Sequence, residues 1–239
     1  MELSLRLQAV CNLVTIGNRV ADVGCDHGYV SIYLVENKIS PKVIAMDVNR
    51  GPLLRAEEHI QESGLSYLIE TRLSDGFSSL HENEADTVIC AGMGGRLIIK
   101  IMKSGKKIVA GVGEFILQPQ SEICQVRQFI RENGFIITDE DMIFEDGKYY
   151  PMMRVVPKKS SENPDEISEN RYFDKFGPVL LQKKNPVLYQ FLTWEREKYT
   201  AIYQALTSVS LPTAKQSVRI TEVKQELYDI DEAINRHFL

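Results

Sequence analysis

Cysteine is scarce in this chain, with four in 239 residues, at positions 11, 25, 90 and 124. They are widely spaced and form no CxxC pair, which argues against a disulfide framework or a cysteine-based zinc site and leaves reduced thiols as the expectation. Long apolar runs are missing too. No stretch approaches the roughly 20 residues of a membrane helix, and the N-terminal MELSLRLQAV lacks the apolar core of a secretory signal. The expectation is a cytoplasmic protein with no membrane partner. A basic excess is the third absence. With 28 Lys and Arg against 33 Asp and Glu, the formal net charge is -5, which speaks against a uniformly basic nucleic-acid binder but leaves room for a basic patch. All the excess acid lies in residues 1–156, where 16 basic face 21 acidic side chains; residues 157–239 hold 12 of each.

What the chain does contain is 44% hydrophobic residues, ordinary for one generous domain or a domain with an appendage. Residues 20–156 alternate short β-branched or apolar runs with helical patterns. The strands read as RVADV, KVIAMD, YLIETR, ADTVICA and EFILQ, and the helices fall near 28–37, 50–63, 94–104 and 119–133, with Gly64 and Gly134 as C-terminal caps. This alternation predicts a mostly parallel α/β sheet covered by crossover helices. FIITDEDMIFEDGKYYPMMRVVP then shows two extended runs around Asp146-Gly147, a strong hairpin dipeptide, so an antiparallel strand closes the sheet. An N-terminal helix carrying Leu3, Leu7, Val10 and Val14 is expected to cover one edge or end.

After residue 157 the composition shifts to KKSSENPDEISEN, which reads as a linker, dividing the chain into a domain of residues 1–156 and an arm of residues 157–239. Two helices are predicted in the arm. Ile220, Val223, Leu227, Ile230, Ile234 and His237 follow the 3–4 spacing of a coiled-coil seam, and Leu192, Tyr199, Ile202, Leu206 and Val209 keep a looser version. With Ser210 and Pro212 as break and restart, an antiparallel helical hairpin follows, its second helix running from about 213 to 238.

The first strand runs into ADVGCDHGYV, residues 21–30, a glycine loop with Asp26 where a middle glycine is usual. Backbone N–H groups and a helix N-terminus at such a place suit anions or polar cofactor groups. Gly24 and Gly28 permit a tight turn and close approach, although a simple strand-to-helix turn would use them equally. Asp47 ends the second strand, where a carboxylate can accept two hydrogen bonds from a ribose diol. Asp75-Gly76 follows the third strand and offers an acceptor for an adenine amino group, or forms a plain turn. Loop and acid alone would fit a nicotinamide oxidoreductase as well. After the fourth strand comes AGMGG, residues 91–95, whose glycines leave room for a bulky acceptor or merely permit a turn.

Asp22, Asp75-Gly76 and the reversed final hairpin together resemble the class I methyltransferases, which implies a Rossmann-like sheet and S-adenosylmethionine as cofactor, with S-adenosylhomocysteine as product. In that family the loop holds the methionine portion, the second-strand acid the ribose and the third-strand acid the adenine. LSLRL, DVGCDHGY, MD at 46–47, SDGF, AGMGG and LQP at 117–119 are together similar to the TrmK family, bacterial methyltransferases that act on N1 of adenine 22 of tRNA. The resemblance implies cofactor contacts at Asp22, Gly24, His27, Gly28, Asp47, Asp75, Gly76, Ala91 and Gly92, and tRNA as partner.

Methyl transfer to adenine N1 rests on positioning and charge management rather than on a covalent nucleophile. Asp26 is the candidate to orient the exocyclic amine and take up a proton, or else it caps the following helix. Tyr29 would orient the base or pack on the sheet, and His27 would meet the methionine portion; no metal is expected, because Cys25, Asp26 and His27 do not converge easily. Arg6, Met93, Gly94, Arg96 and Lys100 are the candidate RNA contacts. Helical spacing places Arg96, Lys100, Lys103 and Lys107 on one face, which would meet phosphates or simply be solvated. The arm would brace tRNA or mediate dimerisation, in a monomer or weak dimer. The competing readings are a methyltransferase of another substrate and a non-catalytic RNA-binding module.

Overall fold

In the computed structural model, residues 3–158, 171–208 and 211–239 are described. The chain divides into two compact units, Met1–Glu162 and Asn163–Leu239. In chain order the first contains α1 (Leu5–Asn12), β1 (Val20–Val23), α2 (Tyr29–Glu36), β2 (Val43–Asp47), α3 (Arg50–Glu62), β3 (Ile69–Leu73), β4 (Thr87–Met93), α4 (Gly95–Ser104), α5 (Lys106–Gly111), β5 (Glu114–Pro119), α6 (Ile123–Glu132), β6 (Phe135–Glu145) and β7 (Lys148–Pro157). Among the described residues seven strands form one sheet in the order β3-β2-β1-β4-β5-β7-β6. The first five pair in parallel. The strand order reverses between β1 and β4, so the carboxyl ends of these parallel strands flank a crevice of the kind in which open α/β sheets bind ligands.

β7 is the antiparallel strand, yet it does not close the sheet: it lies between β5 and β6. The side chains explain the order. Met152, Met153 and Val155 of β7 are fully buried, whereas β6 alternates exposed or half-exposed Thr138, Asp139 and Asp141 with buried Glu140 and Met142, as suits an edge. Asp146 and Gly147, at φ +50 and +75, make the two-residue turn between them. Two buried clusters cover the two faces. One joins α1, α2 and α3 to the sheet through residues such as Val10, Ile32, Ala56 and Ile89. The other joins α4 and α6 through Ile98, Met102, Val126 and Phe115. Leu3, Val10 and Val14 are buried as their spacing implies, and α1 packs on β5 and β6.

One expected helix is redrawn, and another, formed where expected, gains a short neighbour. The stretch from 119 is strand at Pro119 and then a turn with Glu122 at φ +48, so α6 begins only at Ile123. The helix near 94–104 is followed by a second, α5, because Gly105 interrupts it.

The second unit contains α7 (Arg171–Phe176), α8 (Pro178–Gln182), α9 (Pro186–Thr207) and α10 (Ala214–His237), two more helices than the spacing showed. Asn185 caps α9 through Val187 N and Leu188 N, and Thr213 with Gln216 forms a capping box on α10. Ser210 and Val209 lie outside the described residues. α9 and α10 run antiparallel, since Tyr189 meets Phe238, Arg196 meets Asp231 and Tyr203 meets Lys224. Val223, Ile230 and Ile234 are buried, whereas Tyr199, Ile202 and Leu206 are only half-buried. Asp229, also buried, binds Lys175 Nζ at 2.9 Å and Gln225 Nε2 at 2.7 Å.

Candidate active site

β1 ends at Val23, and the chain turns through Gly24–Gly28 into α2. Gly24, Asp26 and Gly28 all take left-handed φ, at +77, +49 and +75. Gly28 N donates to Cys25 O at 2.8 Å and closes a β-turn whose second residue is Asp26. That position with positive φ favours glycine, and Asp is among the few side chains that tolerate it. Asp26 therefore keeps a glycine's backbone shape while adding a carboxylate that is 67% exposed. The turn is tied to β2: Gly24 N and Cys25 N both donate to Met46 O, at 2.8 and 2.9 Å, and Asp26 N donates to Asp47 Oδ2 at 3.3 Å. Gly28 is needed for a further reason, since a Cβ there would lie 3.1 Å from Ala56 Cβ of α3.

Three acids lie on or after the first three strands, and Asp47 among them touches the loop. Asp22 is buried and accepts the Ser31 hydroxyl at 2.8 Å. Burial pushes its carboxyl up to about 6; the Ser31 bond opposes the rise and nearby Asp47 adds to it. No cation among the described residues contributes to its environment, so an ionised Asp22 leaves this pocket short of positive charge. Asp47, also buried, accepts Asn49 N at 2.7 Å through Oδ1. Asp75 is exposed; its backbone N donates to Ser78 Oγ at 3.0 Å, and Gly76 beside it turns at φ +56 against Ile101. Cys25 offers no competing nucleophile. Burial, and then the charge of Asp22, push its thiol well above the usual range.

AGMGG forms the end of β4 and the start of α4. The β4–β5 register shifts between Ala91 and Met93 around Gly92, which has φ +76. Gly92 N donates to Gln118 Oε1 at 3.0 Å, and Arg6 Nη1 donates to the same oxygen at 3.0 Å. The Arg6 guanidinium also lies over the Tyr150 ring, 5.4 Å from its centroid. Met93 packs toward the glycine loop: a Cβ on Gly24 would stand 3.0 Å from Met93 Cε. Gly94 precedes α4 beside Ser121, and Gly95 permits a still closer approach, because a Cβ there would sit 2.5 Å from Ser121 O.

Arg96 is exposed, with Nε 3.3 Å from Glu122 Oε1. Lys100 borders an open groove of about 710 Å³ together with Asp75, Lys106 and Lys107. The continuous basic face expected of Arg96, Lys100, Lys103 and Lys107 is not formed. The helix breaks at Gly105, where a Cβ would overlap the Phe77 ring at 2.2 Å, so Lys107 belongs to α5, while Lys103 lies over the Phe129 ring.

His27, Tyr29 and His59 stack on one another, with centroid separations of 5.4 Å for His27–Tyr29, 5.0 Å for Tyr29–His59 and 5.8 Å for His27–His59. His27 Nε2 is 3.6 Å from Asp26 Oδ1, and its buried Nδ1 has no hydrogen-bond partner among the described residues. Among those residues no cluster of three His, Cys, Asp or Glu could hold a metal ion. His59 was not singled out from the sequence, and Gln118 and Gly95 were named there only as members of LQP and AGMGG. Gln118 had a signal, being a polar side chain in the otherwise apolar EFILQP; His59 had none, since its partner lies 32 residues away.

The loop, the acids and the parallel sheet are the features of a methyltransferase fold, and comparison with known proteins agrees. A family model described as "Methyltransferase domain" matches residues 3–153. The tRNA (adenine(22)-N(1))-methyltransferase of Bacillus subtilis is 31% identical over 235 residues, 98% of each chain. The crystal structure of the B. subtilis M1A22 tRNA methyltransferase TrmK has a TM-score of 0.84 at 30% identity, over 98% of this chain and 99% of that one. Streptococcus pneumoniae Sp1610 in complex with S-adenosyl-L-methionine has a TM-score of 0.83 at 29% identity, over 98% and 100%. The chain belongs to the TrmK family of methyltransferases.

Proposed function

We propose that this protein transfers a methyl group from S-adenosylmethionine to N1 of adenine 22 in tRNA, with S-adenosylhomocysteine as product. The observation that carries this reading is the likeness to the Bacillus enzyme, which runs through 98% of both chains and so includes the arm as well as the sheet. The cofactor reading also has physical support. Asp22 is a buried carboxylate with no cation beside it among the described residues, and a ligand bearing an ammonium and a sulfonium supplies the missing charge.

Asp22, Gly24, His27 and Gly28 would hold the methionine portion, Asp47 the ribose diol, and Asp75 with Gly76 the adenine. Ala91 and Gly92 would line the same crevice. When bound, S-adenosylmethionine supplies the methyl group on an electron-poor sulfur. Adenine N1 brings its own lone pair, so the chain needs no covalent nucleophile, in keeping with the protonated thiol of Cys25. Asp26 would orient the exocyclic amine and accept the proton that the cationic product must lose, while Tyr29 steadies the base. Arg6, Met93, Gly94, Arg96 and Lys100 would form the RNA side, with the sheet unit of residues 1–156 as catalytic domain and residues 157–239 as a helical arm.

Incubation with methyl-labelled S-adenosylmethionine and unmodified tRNA tests the reading. Label should enter tRNA, and replacing adenine 22 by guanine should abolish it. Label at another nucleotide, or in protein or small molecules alone, would refute the assignment.

A further inference from the structure

We infer that His59, on α3, is a positioning residue that holds the glycine loop in the shape that receives the cofactor. Its Nδ1 lies 2.9 Å from His27 O. A carbonyl can only accept, so Nδ1 carries the proton and donates. The bond reaches the loop where it is most strained. Asp26, immediately before His27, is a non-glycine residue at φ +49, and Gly28, immediately after, is at φ +75.

Gly28 makes the restraint necessary. A peptide followed by glycine turns over at little steric cost, because glycine populates both signs of φ. Rotation of the His27–Gly28 peptide would redirect the Gly28 N–H, which now closes the turn onto Cys25 O at 2.8 Å. The main-chain anchors to Met46 O and the Asp47 carboxylate hold residues 24–26, upstream of that peptide. His59 grips the peptide itself.

The side chain is suited to this. Its ring stacks with Tyr29 at 5.0 Å and with His27 at 5.8 Å, which sets the plane in which Nδ1 points. One turn before it on α3, Ala56 meets Gly28. Ala56 and His59 thus press the loop–helix junction from the same helix face, one by packing and one by donating. Asparagine could place its amide nitrogen near the position of Nδ1, whereas glutamine would carry it farther out and phenylalanine would keep only the stack.

The inference rests on the reading that this loop receives S-adenosylmethionine, and titration of the wild-type protein with S-adenosylhomocysteine tests that reading separately: no binding would remove it. Given binding, His59→Phe should weaken affinity about fivefold to tenfold, the worth of one hydrogen bond. It should raise KM for S-adenosylmethionine in step, while kcat at saturating cofactor and KM for tRNA stay within about twofold. His59→Asn should restore affinity and His59→Gln should not. Wild-type affinity in His59→Phe, a loss of kcat without a change in cofactor KM, or failure of His59→Asn while its thermal unfolding matches wild type would each overturn the inference.

Discussion

Arg6 and Gly92 meet on one atom, each donating at 3.0 Å to Gln118 Oε1. The contact joins the N-terminal helix, the irregular end of β4 and the end of β5 through a side chain that is fully buried. Gln118→Leu should leave both donors without their acceptor and cost about 2 kcal/mol of stability. Turnover should fall at least about tenfold, because the AGMGG turn loses its anchor, with KM for S-adenosylmethionine changed far less. Gln118→Glu keeps the accepting oxygen and should retain most activity. Equal damage from both variants in steady-state kinetics would show that the amide nitrogen or the neutrality of the side chain matters rather than its accepting oxygen.

Asp22 provides a pH test. Its carboxyl is raised in the folded protein, to about 6, so its contribution to stability is present in full below the unfolded pKa near 3.9 and is lost as pH rises through about 6. Asp22→Asn cannot ionise, and its oxygen can still accept from Ser31. The variant should raise Tm by several degrees at pH 8 and leave it unchanged at pH 4. It should also weaken S-adenosylhomocysteine binding, and wild-type affinity should itself fall as pH is lowered through 6. A Tm gain equal at both pH values would place the effect elsewhere.

Asp26 has two separable duties, the backbone shape of the turn and the exposed carboxylate. Asp26→Asn tolerates left-handed φ and removes the charge. It should reduce kcat by about 10²-fold or more, the usual scale of a lost acid–base group, with S-adenosylhomocysteine affinity within about threefold. Collapse of cofactor binding with turnover of the bound enzyme preserved would assign Asp26 to loop structure alone.

Arg127 and Glu140 form an ion pair between α6 and β6 at 2.8 Å, both side chains almost completely buried. Arg127→Met would strand a buried carboxylate and should cost about 3–5 kcal/mol in chemical denaturation. The double variant Arg127→Met with Glu140→Leu should recover most of that loss, because an apolar pair needs no compensating charge. If the double variant is no better than the single, the pair does more than neutralise itself.

The alternation of strands and helices, the hairpin at Asp146-Gly147 and the glycine loop were all legible, because each rests on local chemistry: side-chain period, a turn dipeptide, a strand-to-helix junction. The insertion of β7 between β5 and β6 was not. Strand order depends on which face of which strand finds apolar neighbours, and Met152, Met153 and Val155 find them on both sides. The basic face on α4 failed for a similar reason. Helical spacing assumes an unbroken helix, and the Phe77 ring takes the space a side chain at Gly105 would need.

In the candidate site the sequence alone determined which residue types stand where the chain must turn: Gly24, Asp26 and Gly28 after a strand, Asp47 and Asp75 after two more, and glycines after the fourth. Backbone sterics act within a few residues, so such positions are visible in one dimension. Only the tertiary structure decided which partners set their chemistry. The Asp22 carboxyl is pushed up because the fold removes its water, and no cation among the described residues offsets that. His59 and Gln118 acquire roles because packing brings them to backbone groups 32 and 26 residues away. Desolvation and directional hydrogen bonds depend on distance in space, and no spacing in the sequence encodes that distance.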